Sequence, residues 1–568
     1  MKIPDLILLH PPHVYDFRKT TQLYGPVSDL VPATPVFEMY PLGFTSLAEY
    51  LEKAGYRVRI VNIAYRMLRD ARFDAEKFIQ KLKAPLFGID LHWLVHAHGA
   101  VEIARLVKKH HPRSKVVIGG FTASYYWREL ISYREVDYVM RGDSTEEPMR
   151  ALVHAFKNHR FNSVPNLIWK DSHGKVRENA LSHVPDHLDD VMRDHYGGLL
   201  RQVVRYRDIK SIIPFKGWLS HPITAVFSCR GCEQQCIFCG GSKAALKKVV
   251  GRQDTVFRTP EEIHRDVKNL SRISRGPIFI LSDVRQGGED KAADFLRRLQ
   301  REPVGNTVMF ELFRPAPASF VADVSLAAPQ FGFSISPHSH DADIRRALGL
   351  NYSNADLEET IAAGLSCGAK RIEVYFMIGL PGQTREDALA DVAYCEQLLR
   401  RFDGDRRLII YQGPLAPFLD PGSLAFERPE HYGYRLYYRT LAEHRQALQQ
   451  PSWKYVLNYE TMWLSREDIM NVTYEAATRL TNAKAKYGQI SRAMAEMQLA
   501  RLAQARQLEE KIDAIVQSGR LEEMASIRPE IDRANGFTAV QHRQLIDVPW
   551  GVLRLRYLNA LWRIIIGK

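Results

Sequence analysis

The chain has 568 residues, too many for one hydrophobic core, so about three domains are expected. Its composition is 45% hydrophobic and 25% charged, which is typical of a globular protein and argues against a disordered one. The net charge of +13 favours anionic partners such as phosphates, nucleic acid or an acidic membrane surface, or reflects only a basic surface.

Cysteine usage and hydropathy both predict a cytoplasmic protein. Six cysteines are too few and too clustered for the disulfide framework of a secreted protein. The N-terminal apolar run ends at Pro-Pro without a small-residue cleavage site, so we interpret it as a buried strand rather than a signal peptide. No stretch reaches the ~18 uninterrupted apolar residues of a transmembrane helix.

Residues 1–165 alternate predicted strands with predicted helices. Strand patterns stand in "DLILLHPP", "YRVRIVNI", "PLFGIDL", "KVVIGG" and "VDYVMRGDS", and helical patterns in "GFTSLAEYLEKAG" and "GAVEIARLVKKHHP". This alternation predicts an α/β domain with a doubly wound parallel sheet of the Rossmann type. Ligands of such sheets bind at the carboxyl ends of the strands.

Three further segments follow. Residues 166–220 form a predicted connector with a hairpin about His173-Gly174. Residues 221–430 hold six strand patterns with intervening helices, which predicts a partial or full parallel barrel with its function at the strands' carboxyl ends. Residues 431–568 are predicted to be mainly helical, and "RAMAEMQLARLAQARQLEEKIDAIV" has clear helical apolar spacing.

Four cysteines follow the first strand of the predicted barrel within eleven residues, with the spacing Cys229-x2-Cys232-x3-Cys236-x2-Cys239. Three thiolates on one tight loop suit an iron–sulfur cluster. A structural zinc ion would use all four cysteines, although zinc ligands usually come in pairs from separate knuckles. The spacing favours iron–sulfur and leaves zinc as the alternative.

The segment Cys232-x3-Cys236-x2-Cys239 resembles the motif of the radical SAM superfamily, including the lead-in Arg230-Gly231 and the aromatic Phe238. The resemblance implies that three cysteines bind a [4Fe–4S] cluster, whose fourth iron is open to S-adenosylmethionine. It also implies that the reduced cluster generates a 5′-deoxyadenosyl radical, that Phe238 lies near the adenine, and that flavodoxin or ferredoxin supplies electrons.

Later barrel segments carry the same resemblance. "MIGLPGQT" matches the fifth-strand turn whose backbone packs beside the adenine, and "LDPGS" resembles the turn after the sixth strand. The chain departs from the family at His338, where relatives often carry glutamate. The resemblance implies that S-adenosylmethionine is also contacted by Asp283, Glu311, Arg314, Ser336, Gly379 and Pro381. The alternative for Asp283 is a cap at the end of its strand.

The N-terminal domain, joined to such a barrel, resembles the cobalamin-binding domain of B12-dependent radical SAM enzymes. The matching stretches are "LHPP", "YPLGFTSLAEYLEKAGYRVRIVN", "VVIGG" and "DYVMRGDS". Glycine turns let the backbone approach a large planar ring. The cobalamin contacts that the resemblance implies are Pro11, Pro12, Leu42, Gly43, His92, Trp93, Gly119, Gly120 and Gly142.

One cobalamin motif is incomplete. Some cobalamin proteins ligate cobalt through the histidine of Asp-x-His-x-x-Gly, whereas this chain has Asp90-Leu91-His92 followed by Val95 in place of the glycine. Many radical SAM relatives lack the motif and leave the lower cobalt face without histidine. Of the roles open to His92, we expect binding to cobalt least. We expect His92 or Trp93 to pack near the corrin, or the two residues to serve an ordinary structural role.

The resemblance implies an enzyme that methylates an unactivated carbon through methylcobalamin. Alternatives are a radical cyclisation, ring contraction or carbon–carbon coupling with the same cofactors, acting on a small molecule or a lipid, and a non-catalytic cobalamin or redox sensor. A tRNA-modifying enzyme would fit the charge, but no RNA-binding module follows the barrel, so nucleic acid is not expected.

The C-terminal segment 549–568 places Arg556, Asn559 and Arg563 on one narrow face of a helix, with aromatic and aliphatic side chains over the rest. This pattern suits a helix lying at a membrane surface, and it is too short and too charged to span. The alternative is a closing helix packed on the barrel.

Overall fold

The computed structural model describes residues 3–25, 42–188, 195–215, 218, 222–415 and 417–535. The segment 549–568, with its predicted membrane-surface helix, lies outside these residues. Among the helices that are described, none has the length and apolarity needed to cross a membrane.

The first sheet has the order β2-β1-β3-β4-β5-β6-β7, and its first five strands in this order are parallel. The predicted doubly wound sheet is therefore confirmed, with its topological switch point between β1 and β3, where a ligand crevice is expected. The strands are β1 Leu6–His10, β2 Val58–Asn62, β3 Leu86–Asp90, β4 Lys115–Gly119, β5 Tyr138–Met140, β6 Leu167–Lys170 and β7 Val176–Glu178. The helices are α1 Gly43–Lys53, α2 Ile63–Arg69, α3 Ala75–Lys81, α4 Ala97–His110, α5 Phe121–Tyr125, α6 Trp127–Ser132, α7 Glu146–Asn158 and α8 His195–Tyr206.

The predicted hairpin in the connector is present as β6 and β7, which pair antiparallel, and Gly174 in its turn has φ +75°. It extends the first sheet past the boundary expected at residue 165, because β6 pairs with β5. Helix α8 also packs on this sheet, where the Tyr206 hydroxyl donates to the Val58 carbonyl at 3.1 Å. Most of the described connector is thus structurally part of the first domain.

The second sheet has the order β15-β14-β13-β12-β11-β8, with all pairs parallel. Strands β8 and β15 stand at opposite edges, which is the open form of a partial barrel. The strands of this region are β8 Thr224–Phe227, β9 Cys229–Arg230, β10 Val256–Phe257, β11 Ile278–Leu281, β12 Val308–Leu312, β13 Phe331–His338, β14 Arg371–Ile378 and β15 Leu408–Pro414. The helices are α9 Lys243–Val250, α10 Pro260–Ile273, α11 Glu289–Arg301, α12 Ala318–Ala327, α13 Ala342–Ala347, α14 Asn354–Ser366, α15 Arg385–Arg401 and α16 Leu424–Glu427.

Along the strands, apolar side chains alternate with more polar ones, and this alternation determines which face of the sheet carries the main core. On β14, Ile372, Val374 and Phe376 are buried in one continuous cluster with apolar side chains of the flanking helices. Burial of each such side chain contributes about 1.5–3 kcal/mol. The intervening residues of β14 are more polar and face the other side of the sheet.

The C-terminal region is mainly helical, as predicted. The patterned segment forms the 27-residue helix α20, which begins after a Ser491 cap and ends at Gly519 with φ +72°. The region also ties back to the N-terminal segment, because the Trp453 N–H donates to the Leu23 carbonyl at 2.9 Å. Its elements are β16 Tyr434–Leu436, β17 Tyr459–Thr461, α17 Leu441–Ala447, α18 Trp453–Val456, α19 Arg466–Lys486, α20 Arg492–Ser518 and α21 Met524–Asn535.

Candidate active site between the two sheets

A cavity of about 680 Å³ lies between the strand ends of the first sheet and the cysteine loop of the second. From the first domain, its wall includes residues that follow β3, β4 and β5. From the second domain, it includes Cys229, Cys232, Cys239 and Asp420. Both predicted ligand regions therefore open into one space, with no protein layer between them.

Most of the predicted cobalamin contacts lie on this cavity wall, namely Leu42, Gly43, His92, Trp93, Gly119, Gly120 and Gly142. Pro11 and Pro12 are buried and are not among the wall residues. They lie where the loop after β1 packs on helix α4: a Cβ on Gly99 would come within 1.7 Å of the Pro12 carbonyl oxygen. The structure therefore gives the Pro-Pro pair a packing role.

Gly120 allows the loop after β4 to approach the loop after β3. Its φ is +120°, and a Cβ there would lie 2.6 Å from the backbone nitrogen of His92. Any other residue would be strained and would push the His92 loop away. The glycine pair noted in the sequence thus shapes the cavity wall beside His92.

Asp90 is hydrogen-bonded to His10 rather than to His92. The His10 Nδ1 and the Asp90 Oδ1 are 2.9 Å apart, and both side chains are buried. His92 itself is exposed on the cavity wall, where desolvation by the surrounding protein lowers its pKa and the nearby Asp90 opposes this effect. The hydrogen-bonded carboxylate that normally orients a ligating imidazole is thus engaged by another residue.

The three motif cysteines are partly buried, and their thiols affect one another's pKa values. Burial raises the pKa of Cys232 to about 11, and Cys236 adds to this effect. Burial also raises the pKa of Cys239, with further contributions from Asp420 and Cys236. Backbone N–H groups already point at two sulfurs, from Gln234 to Cys232 at 3.4 Å and from Gly241 to Cys239 at 3.2 Å. Thiols in this setting need a cationic centre to ionise, and a cluster supplies one.

Cys229 differs from the other three cysteines. It lies in strand β9, opposite Phe257 of β10, and is only 3% exposed. The burial of Cys229 in a strand pair sets it apart from the three cysteines of the loop, and three thiolates on one loop fit a [4Fe–4S] cluster.

The end of the cysteine loop is docked on the turn after β15. The Asp420 N–H donates to the Phe238 carbonyl at 3.3 Å, and the Ala425 N–H donates to the Ile237 carbonyl at 2.8 Å. The Asp420 side chain in turn accepts from the Gly240 N–H at 2.9 Å. Burial raises the pKa of Asp420 to about 6, and the bond from Gly240 opposes this rise. The "LDPGS" motif alone does not assign this acid a role.

The residues predicted to contact S-adenosylmethionine are spread over the strand ends. The Phe238 ring meets the His338 ring edge to face at 5.3 Å. Ser336 is half-buried, where the register of β13 shifts against β14. Gly379 ends β14 with φ +91°, and a Cβ on it would lie 2.6 Å from the Tyr459 hydroxyl; Pro381 beyond it is buried.

The three charged residues in this predicted set have different environments. Asp283 accepts bonds from the Arg285 side chain at 2.6 and 2.9 Å and from the Phe313 N–H at 3.0 Å, so the structure favours a capping role for it. Glu311 accepts from the Ser282 N–H at 2.6 Å, and burial raises its pKa. Burial raises the pKa of Cys236 and the exposed Arg314 opposes this rise, so the Arg314 guanidinium lies near the cysteine loop.

Two buried ion pairs, hereafter the arginine clasp, join the domains beside the cysteines. Arg230 donates to both carboxylate oxygens of Glu146, at 2.5 and 3.0 Å. Arg252 binds Asp143 through two nitrogens. Both acids belong to the loop after β5 and the start of α7, so this loop is fixed against the cysteine loop. The clasp was not predicted from the sequence, where its only signals are the arginine in the cysteine lead-in and the acids of "RGDSTEE".

Family models match two parts of the chain: a B12 binding domain at residues 29–153 and the radical SAM superfamily at residues 226–395. Among curated proteins, the chain is similar to the hopanoid C-3 methylase of Methylococcus capsulatus, at 24% identity over 44% of each chain. The chain thus spans less than half the length of that relative.

Solved structures share the fold. The chain is similar to the radical S-adenosylmethionine methyltransferase TsrM of Kitasatospora setae with cobalamin and a [4Fe–4S] cluster bound, with a TM-score of 0.54, 16% identity and coverage of 77% of this chain and 81% of that one. It is also similar to the cobalamin-dependent S-adenosylmethionine radical enzyme OxsB, with a TM-score of 0.54, 13% identity and coverage of 100% and 84%.

Proposed function

We propose that this chain, which belongs to the radical SAM proteins with an N-terminal B12-binding domain, is an enzyme that methylates an unactivated carbon of its substrate. The observation that carries the proposal is the shared cavity, since Cys232, Cys239 and most of the predicted cobalamin contacts line the same space. A methyl group and a substrate radical have to meet in one space, and this arrangement provides it. The methylase name of the curated relative agrees with this activity.

The chain's own residues would hold and orient the cofactors. When bound, the cluster supplies reductive cleavage of S-adenosylmethionine to a carbon-centred radical, and cobalamin supplies methyl transfer. Cys232, Cys236 and Cys239 would hold the cluster. Arg314, exposed beside Cys236, is suited to the carboxylate of S-adenosylmethionine. Phe238 would offer an aromatic ring to the planar adenine, and the mainly apolar cavity wall would limit contact of a reactive radical with water.

The substrate class we infer is a small molecule or a lipid, and an external one-electron donor such as flavodoxin or ferredoxin is required to reduce the cluster. Of these two substrate classes, the lipid is favoured by the similarity to a hopanoid C-3 methylase. Contact of the segment 549–568 with a membrane surface stays a prediction.

Product counting tests the methylation proposal. The chain is first reconstituted with iron, sulfide and hydroxocobalamin. It is then incubated with a titanium(III) reductant, with lipid or small-molecule extracts, and with S-adenosylmethionine whose methyl group is deuterated. Methyl transfer consumes two S-adenosylmethionine molecules, so we expect S-adenosylhomocysteine and 5′-deoxyadenosine in equal amounts together with a deuterated product. Mass spectrometry quantifies all three.

The Cys232→Ala variant is the control and should form no 5′-deoxyadenosine. A wild-type chain that formed 5′-deoxyadenosine but no S-adenosylhomocysteine would contradict methylation and would favour the radical rearrangements and couplings that use the same cofactors.

We expect cobalamin to bind without a histidine on cobalt, because the Asp90 carboxylate is hydrogen-bonded to His10. Electron paramagnetic resonance of the chain loaded with cobalt(II) cobinamide, which lacks the cofactor's own nitrogenous base, reports any nitrogen ligand from the protein. The spectrum should lack nitrogen superhyperfine splitting and should be the same in His92→Ala. Splitting that disappears in that variant would make His92 the ligand, and the absence of corrinoid binding would contradict the assignment of the first domain.

A further inference from the structure

The turn after β15 places a carboxylate next to the third motif cysteine. Asp420 Oδ2 accepts the N–H of Gly240, the residue directly after Cys239, at 2.9 Å. The approach is close along the whole side chain, since a Cβ on Gly240 would lie 3.0 Å from the Asp420 Cβ. The Asp420 side chain therefore packs directly against the end of the cysteine loop.

The backbone fixes the carboxylate in this place. Two backbone hydrogen bonds, at 3.3 and 2.8 Å, join the turn to Phe238 and Ile237. Gly422 within the turn has φ +86°, and a Cβ on it would lie 2.5 Å from Val249 of α9, so the turn is also wedged against the helix that follows the cysteine loop. These contacts hold the Asp420 carboxylate beside the residue that follows Cys239.

We infer that Asp420 is a positioning residue whose negative charge lowers the reduction potential of the cluster held by Cys232, Cys236 and Cys239. The inference rests on the proposed function, because it requires the cluster. Reduction adds one negative charge to the cluster, and an adjacent carboxylate in a partly water-excluded site opposes that addition. The backbone N–H groups on Cys232 and Cys239 and the guanidinium of Arg314 act in the opposite direction.

A purely structural role for Asp420 predicts a different result. If the side chain only caps the Gly240 N–H, an asparagine, whose amide oxygen also accepts, would replace it without consequence. If the charge matters, removal of the charge alone changes the cluster's potential even when the loop and its hydrogen bond are kept. Asp420→Asn separates these two cases.

The experiment is a redox titration of the reconstituted full-length chain at pH 8 with dithionite and mediator dyes, followed by electron paramagnetic resonance of the reduced cluster. We expect the one-electron reduction equilibrium of Asp420→Asn to shift at least about tenfold toward the reduced cluster, which is about 59 mV to more positive potential. Asp420→Ser, also neutral, should shift in the same direction and provides the measurement if the asparagine variant assembles no cluster.

Glu233→Gln is the matched control, because it removes one charge from the same loop at an exposed position paired with Lys243. Water and salt screen an exposed charge, so its shift should be less than half that of Asp420→Asn. Unchanged potential in both neutral Asp420 variants, or an equal shift in the control, would overturn the inference. A wild-type chain that assembled no [4Fe–4S] cluster would instead overturn the proposed function.

Discussion

Replacement of Cys232, Cys236 or Cys239 by Ala is expected to abolish the [4Fe–4S] cluster and the cleavage of S-adenosylmethionine completely. Each of the three sulfurs would bind a separate iron, and the loop between β9 and α9 holds no further cysteine to replace a lost one. The measurement is the iron and sulfide content of the reconstituted chain, with absorbance near 400 nm and 5′-deoxyadenosine formation as further readouts.

The matched variant is Cys229→Ala, which should keep its cluster because Cys229 lies in the β9–β10 strand pair and is 3% exposed. Its expected cost is a modest loss of stability from the removed buried sulfur. If Cys229→Ala bound no iron, or if the wild-type chain bound zinc alone, the three-cysteine assignment would be wrong.

Glu146→Gln is expected to destabilise the junction of the two domains by about 3–5 kcal/mol, because it leaves Arg230 without a charged partner. Arg230 and Glu146 have side chains only 13% and 3% exposed, so water does not compensate for the loss. In differential scanning calorimetry the first unfolding transition should fall by roughly 6–20 °C. Arg230→Met combined with Glu146→Gln should recover part of this loss, since neither charge then remains buried.

The control for this experiment is Glu530→Gln, which breaks the exposed pair of Glu530 with Lys511, whose side chains are 42% and 49% exposed. Exposed pairs contribute about 0–1 kcal/mol, so its transition should move little. Equal shifts in Glu146→Gln and Glu530→Gln would contradict a stabilising clasp.

The same pair predicts a pH dependence. Burial alone would raise the pKa of Glu146, but Arg230 and Ser46 more than offset this and lower it. Because the folded pKa lies below the unfolded value of about 4.3, the pair's contribution to stability is present above that pH and is lost as the pH falls further. The calorimetric difference between wild type and Glu146→Gln should therefore shrink in acid and stay constant above pH 6.

The parallel strands of both sheets could be predicted because they are short, mainly apolar runs bounded by turn residues. The cysteine loop could be predicted because its four ligand candidates are neighbours in sequence. The predicted cobalamin contacts on the cavity wall follow from the rule that parallel strands end at one edge, which brings Gly43, His92 and Gly120 together.

The pairings across long sequence separations could not be predicted. Arg230 and Glu146 are 84 residues apart, Arg252 and Asp143 are 109 apart, and His10 and Asp90 are 80 apart. Charge alone does not select one partner among 65 acids and 78 bases in the chain. The packing role of Pro12 was likewise hidden, because it depends on the close approach of Gly99 from another element.

The arginine clasp limits how this chain can be recombined with others. A chimera that takes its first domain from a different protein would place Arg230 and Arg252 against a foreign loop, and each unmatched guanidinium would be left buried at the seam. A workable crossover near residue 221 therefore has to carry Asp143 and Glu146 with the donor domain, or remove both arginines at once. Expressing the two halves separately avoids this cost, because the charges of the clasp would then lie in water rather than in a buried junction.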